Sequence, residues 1–152
     1  MPNAGVDESN ADGKIILLPK DSYHSAMKLR ERLRTHFGLT NFGILITDSR
    51  TSPLHAGTMG VAMGYVGFEG IRNYIGTPDI FGRPLAMTRS DVADALAASA
   101  VVCMGEGKEQ QPLALITDAP VFFTDTVNTA ELAISIEDDM YRPLFENAPQ
   151  NK

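Results

Sequence analysis

Four oxygen-bearing side chains in three separated stretches stand out as a set that could do chemistry: Asp7 in an early turn, Asp48 with Ser49 after an apolar run, and Glu106 between two glycines. Carboxylates and hydroxyls, together with nucleotide phosphates, are the hard donors that Mg2+ or Mn2+ prefers. The same residues also have an ordinary reading, because acidic side chains in turns commonly form or cap them. Spacing alone leaves both readings open. The familiar templates are absent: the sequence has no Gly-x-x-x-x-Gly-Lys-Ser/Thr, no Gly-x-Gly-x-x-Gly after a strand and no paired-cysteine ligand set. His24, His36 and His55 lack metal-ligand spacing, and Cys103 falls on the expected buried side of a helix end, where a cysteine packs as a small hydrophobe. No side chain is assigned to catalysis.

These residues must be carried by regular elements. Residues 14–19 form a short β-branched run closed by proline, which predicts a strand. Asp21 or Ser22 can then cap a helix whose apolar positions Ala26, Leu29, Leu33 and Phe37 share one face, with Lys28, Arg30, Arg32 and Arg34 mostly elsewhere and Gly38 as its stop. Residues 42–47 read as a strand ending directly in Asp48 and Ser49. Gly57, Gly60, Gly64 and Gly67 punctuate the next apolar stretch, which reads either as a bent strand that lets another backbone approach or as a merely kinked one.

Residues 88–91 match a capping box, and Val92, Ala93, Leu96, Ala97, Ala100, Val101 and Met104 continue at helical spacing into the polar loop 105–112. A strand over 113–117 and a last helix from about Thr129 to before Pro143 complete the pattern. This predicts an α+β fold, a mixed sheet with flanking helices, as a single domain over 1–146 with a disordered tail at 147–152.

Composition narrows the partners. The chain has 152 residues and a net charge of −6, so it lacks the basic field that draws proteins to nucleic acid. At this length folding is expected to bury roughly two-thirds of the unfolded chain's surface, enough for a core without staples. A single cysteine fits a reducing compartment, the start lacks a secretory pattern and no apolar run is long enough for a span, so a cytoplasmic protein without membrane contact is expected.

Six short segments, in consistent order, resemble the coenzyme F420-0:L-glutamate ligase family: residues 3–10, 46–49, 60–64, 79–85, 92–97 and 104–107. The resemblance implies that Asp7, Asp48, Ser49 and Glu106 bind Mg2+ or Mn2+. It also implies that Asn10 and the stretch Met104, Gly105, Glu106, Gly107, Lys108, Glu109, Gln110 and Gln111 contact GTP, with Lys108 equally readable as a solvated loop lysine. The implied reaction transfers the γ-phosphoryl group of GTP to a substrate carboxylate; the amine of L-glutamate then attacks the acyl phosphate, extending a deazaflavin-type acceptor. A homodimer is expected.

Two departures from the family pattern matter. His55 occupies a position where the family carries an arginine able to grip a carboxylate or phosphate, which implies a different hold on the acceptor. The chain also begins at the asparagine turn, whereas the family has a preceding portion with further phosphate contacts. Two readings follow: a ligase completed by a separate N-terminal segment, or a non-catalytic guanine-nucleotide and metal-binding domain of the same fold.

Overall fold

The computed structural model describes residues 6–8 and 10–146, with the side chains of Val6, Asp7, Phe145 and Glu146 outside the description. Two strands and two helices form the body: α1 (Ser22–Phe37), β3 (Ile44–Thr51), β4 (Thr58–Val66) and α2 (Val92–Met104). Shorter strands flank them, β1 (Val6–Asp7) with β2 (Ile16–Leu17) and β5 (Ile71–Asn73) with β6 (Arg89–Asp91). The α+β class is as expected, although the sheets among the described residues are three antiparallel pairs in place of one mixed sheet.

Helix α1 starts where Asp21 accepts the His24 N–H at 2.8 Å and stops at Gly38, whose φ of 64° is the left-handed turn that glycine adopts freely. Its buried side is rotated from the predicted stripe. Ser22 and Ala26 are buried and Arg30 is turned inward, donating to the Phe42 carbonyl at 3.0 Å, while Leu29 and Phe37 are exposed. Arg30 can take an inward position because its stem packs while its guanidinium meets a carbonyl and the Asp125 carboxylate.

Strand β3 runs through Asp48 and Ser49 to Thr51, so the two residues lie inside the strand and not at its end; pairing with β4 continues because Val61 and Gly60 stand opposite them. The register is irregular between Ile46 and Thr47, which face Gly64 and Ala62 and leave Met63 as the extra residue of a bulge. Gly60 and Gly64, four apart in β4, therefore stand opposite Ser49 and Ile46, three apart in β3. That odd difference turns them to different neighbours, since strand side chains alternate between faces.

A side chain at Gly64 would meet the Ser22 and Tyr23 backbone at 2.7 Å, and one at Gly60 would meet the Ala97 carbonyl at 2.5 Å. Each glycine is thus the seat of a helix, the close-approach alternative of the two sequence readings. On α2 the matching surface is small: Ala93, Ala97 and Ala100 are buried.

Several expectations fail for local reasons. The cap of α2 is Asp91, which accepts the Asp94 N–H at 2.9 Å, and not Thr88, because residues 89–91 are held in β6 against β5. Cys103 is exposed, since the α2 face toward β4 is made by the alanines. Of residues 14–19 only Ile16 and Leu17 pair, against β1. Residues 113–117 form no strand: Leu113 and Leu115 are 84% and 89% exposed, and an apolar run makes a strand only where a partner supplies the ladder.

The predicted last helix is replaced by turns, a short 3-10 helix (Ile136–Asp138) and α3 (Arg142–Glu146). Asn128 takes the Ala130 N–H and Ser135 takes the Asp138 N–H, local bonds that compete with a continuous helix.

The chain exposes 12160 Å², whereas a compact monomer of this mass would expose about 7,600 Å². Folding therefore buries about half of the unfolded surface instead of two-thirds. The small core is built on Tyr65, Phe68 and Ala93, with Tyr23, Leu45 and Leu96 packed around it.

Candidate functional site

Three separated stretches meet at the C-terminal end of α2. The helix stops at Gly105, whose N–H still donates to the Val101 carbonyl at 2.9 Å and whose φ is 79°. This positive-φ glycine turns the chain so that Glu106 faces β3, where its carboxylate accepts from the Ser49 hydroxyl at 2.5 Å. From the other side Asn10, itself in a left-handed turn with φ 53°, donates from Nδ2 to the Gly107 carbonyl at 3.0 Å. Residues 97 positions apart are therefore joined at one loop.

Asp48 lies next to Ser49 in β3, half-buried, and accepts the Ser49 N–H at 2.8 Å. Asp7 belongs to β1, and its backbone pairs with Ile16 a few residues before Asn10; its side chain lies outside the described residues. Among the described residues no three His, Cys, Asp or Glu side chains stand close enough to hold a metal ion. The donors that do converge are the Ser49 hydroxyl and the Glu106 carboxylate, with Asp48 adjoining them in the strand. All are hard oxygens, and this chemistry suits a divalent ion of the Mg2+ kind, which keeps several waters and takes only one or two carboxylates besides phosphate oxygens.

The loop is folded on itself. Glu109 reaches back and accepts the Gly107 N–H at 2.8 Å, and a side chain on Gly105 would lie 2.4 Å from the Glu109 carboxyl carbon. Met104 and Gly105 are half-buried and 106–111 exposed, with Gln110 left-handed at φ 55°. Lys108 makes no ion pair among the described residues. His55 is exposed in the β3–β4 turn, where its N–H donates to the Ser52 carbonyl at 3.3 Å.

Sequence reasoning missed Asp94. It accepts the Ala62 N–H of β4 at 2.7 Å, beside the bulge, and a spacing of glycines reveals neither the bulge nor the contact. It also missed Glu131, whose one oxygen accepts from the Tyr65 hydroxyl at 2.6 Å and from the Gly70 N–H at 2.9 Å. Burial first, and then the bond to Glu131, raise the Tyr65 phenol above its usual range. These two residues border a cavity of about 320 Å³ beneath residues 124–131, which none of the candidate ligands lines.

Comparison with known proteins bears on the same stretches. A model of the F420-0:Gamma-glutamyl ligase family matches residues 1–118. Coenzyme F420:L-glutamate ligase of Methanococcus maripaludis strain C7 is 41% identical over 140 residues, 92% of this chain and 56% of that protein. The enzymes of the same name from Methanopyrus kandleri and Methanocaldococcus jannaschii are 42% identical over 72% of this chain and 37% identical over 92% of it, covering 44% and 55% of their own lengths. The chain spans about half the length of the curated relatives it matches. No helix among the described residues is long and apolar enough to cross a membrane.

Proposed function

The chain belongs to the F420-0:Gamma-glutamyl ligase family, and from that premise we propose that it is the nucleotide- and metal-binding part of a GTP-dependent ligase adding L-glutamate to a deazaflavin coenzyme precursor. The observation that carries the reading is the meeting of Asn10, Ser49, Glu106 and Gly107 at one loop. In this reading Asp7, Asp48, Ser49 and Glu106 would hold Mg2+ or Mn2+, and the cation would offset the charge on the phosphates. Asn10 and residues 104–111 would then contact the guanine nucleotide.

The γ-phosphoryl group passes from GTP to a carboxylate of the acceptor, giving GDP and an acyl phosphate. The amine of glutamate attacks the acyl carbon, phosphate leaves with the bonding pair, and the amine's surplus proton is released. The chain's own part is positional: Asp48 and Glu106 hold rather than exchange protons, the Asn10 amide fixes the loop, and the Lys108 ammonium is free to meet a phosphate.

Full activity is proposed to need the part of the relatives' length that this chain does not span. The large exposed apolar surface, including Leu113 and Leu115, suits such a partner. The test incubates the chain with GTP, Mn2+, glutamate and the precursor, follows product by mass spectrometry, and repeats the assay with that additional polypeptide supplied separately. Turnover should be strong only in the supplemented mixture, because each missing electrostatic donor costs about 10²–10³ in rate. Equal rates would overturn the need for a partner, and nucleotide binding without turnover in either mixture would favour a non-catalytic binding domain.

A further inference from the structure

Asp94 lies in the first turn of α2, and its surroundings make that turn a fixed point. The N–H groups of Val92 and Ala93 both donate to the Gly70 carbonyl, at 2.8 and 3.1 Å, and Asp91 holds the Asp94 N–H. From this anchored turn the Asp94 carboxylate reaches the Ala62 N–H, at the bulge in β4. Two residues further back along β4, Gly60 is seated on the Ala97 carbonyl, and opposite Gly60 stands Ser49. At the far end of the same helix Glu106 meets Ser49.

Both ends of α2 therefore address one stretch of the hairpin. The bulge decides whether they can. A slip of one residue would turn Gly60 away from α2 and bring Met59 or Val61 toward the Ala97 carbonyl, where there is no room for even a methyl group. The helix would have to move off, and Glu106 would leave Ser49 with it.

We propose that Asp94 is a positioning residue that locks the bulged register of β4 on β3 and thereby presents Ser49 to Glu106. The consequence for ligand binding rests on the metal and nucleotide reading given above, whereas the register itself does not. Asp94→Asn keeps an oxygen acceptor for the Ala62 N–H, so it should preserve both. Asp94→Ala leaves that N–H without its partner and should weaken Mn2+-dependent GDP binding by about tenfold.

The experiment pairs two measurements on the full chain, well below its melting temperature. Cross-strand contacts in NMR spectra of the ligand-free protein report whether Thr47 still faces Ala62, and calorimetry with Mn2+ and GDP reports affinity. Loss of register and affinity in Asp94→Ala, with both retained in Asp94→Asn, is the expected result. If Asp94→Ala keeps the native register and affinity while only its melting temperature falls, Asp94 is merely structural and the proposal is wrong. Should Asp94→Ala not fold, Asp94→Glu, which shifts the acceptor by one methylene, is measured instead with the same two criteria. If the unaltered protein binds no Mn2+ or GDP, the ligand reading fails by itself; the spectra then decide, retention of register in the variant overturning the proposal and its loss supporting it.

Discussion

Residues 22–104 and residues 105–146 are held together by different means. In the first region backbone meets backbone: β4 runs against α1 at Gly64 and against α2 at Gly60, with Ala26, Ala93 and Ala97 fully buried between. In the second, regular structure is scarce, and the chain is tied to the body at separate points. Thr124 donates to the Gly67 carbonyl at 3.1 Å, Glu69 donates to the Phe122 carbonyl at 2.9 Å, Asp125 pairs with Arg30 and Arg34, and Glu131 takes two donors. Close packing transmits a displacement along a rigid element, whereas point contacts fail one at a time. The candidate site draws on both, with Ser49 in the packed region and Glu106 just beyond its edge.

That contrast orders the expected effects of substitution. Gly60→Ala should be the most damaging, destabilising the chain by about 3 kcal/mol in urea titrations because the new methyl meets the fixed Ala97 carbonyl at 2.5 Å as well as the Val101 side chain. A loss below about 1 kcal/mol would mean that α2 yields easily and would dissolve the distinction between the regions.

Glu131→Ala comes next. It removes the acceptor of the part-buried Tyr65 hydroxyl and the Gly70 N–H, and should cost about 2 kcal/mol. Its melting transition should stay single, since the core residues Phe68 and Ala93 are untouched.

Asp125 gives a smaller and pH-dependent effect. Its hydrogen bonds to Arg30 and then Arg34 hold the carboxyl below the usual range. A folded-state value under the unfolded one contributes stability above the unfolded value, near 3.9, and loses it as pH falls through the folded value. Because the Asp125 carboxylate is exposed, Asp125→Asn should lower the melting temperature by only about 1–2 °C at pH 7, and the two proteins should converge in strong acid. A difference that grew on acidification would reverse the sign and refute the assignment.

Leu115→Ala should change stability least, within about 0.5 kcal/mol, because the side chain is 89% exposed. If added partner polypeptide makes the same substitution costly, the exposed run is a covered surface in the complex.

The packed region was the more legible one in the sequence. Asp21 and Gly38 mark both ends of α1 through local capping chemistry, and the alanine-rich spacing of α2 gives its extent. Asn10 meets Gly107 and Ser49 meets Glu106, all four being members of the set drawn from resemblance, whereas spacing alone leaves turn-forming roles equally open. What stayed hidden depends on long-range partners. The inward turn of Arg30 needs Phe42 and Asp125, the role of Asp94 needs a bulge one residue long, and the strand expected over 113–117 needs a neighbour that the described residues do not supply.

The central claim, that Asp48, Ser49 and Glu106 join the Met104–Gln111 loop in holding a metal-dependent nucleotide, is tested most directly by calorimetric titration of GDP with and without Mn2+, on the unaltered chain and on Asp48→Asn. Phosphates and these carboxylates repel one another unless a cation lies between them, so GDP should bind at least about tenfold more tightly with Mn2+, and Asp48→Asn should remove most of that gain while remaining folded. Equal affinity with and without the metal, or tighter binding of adenine nucleotides, would contradict the account.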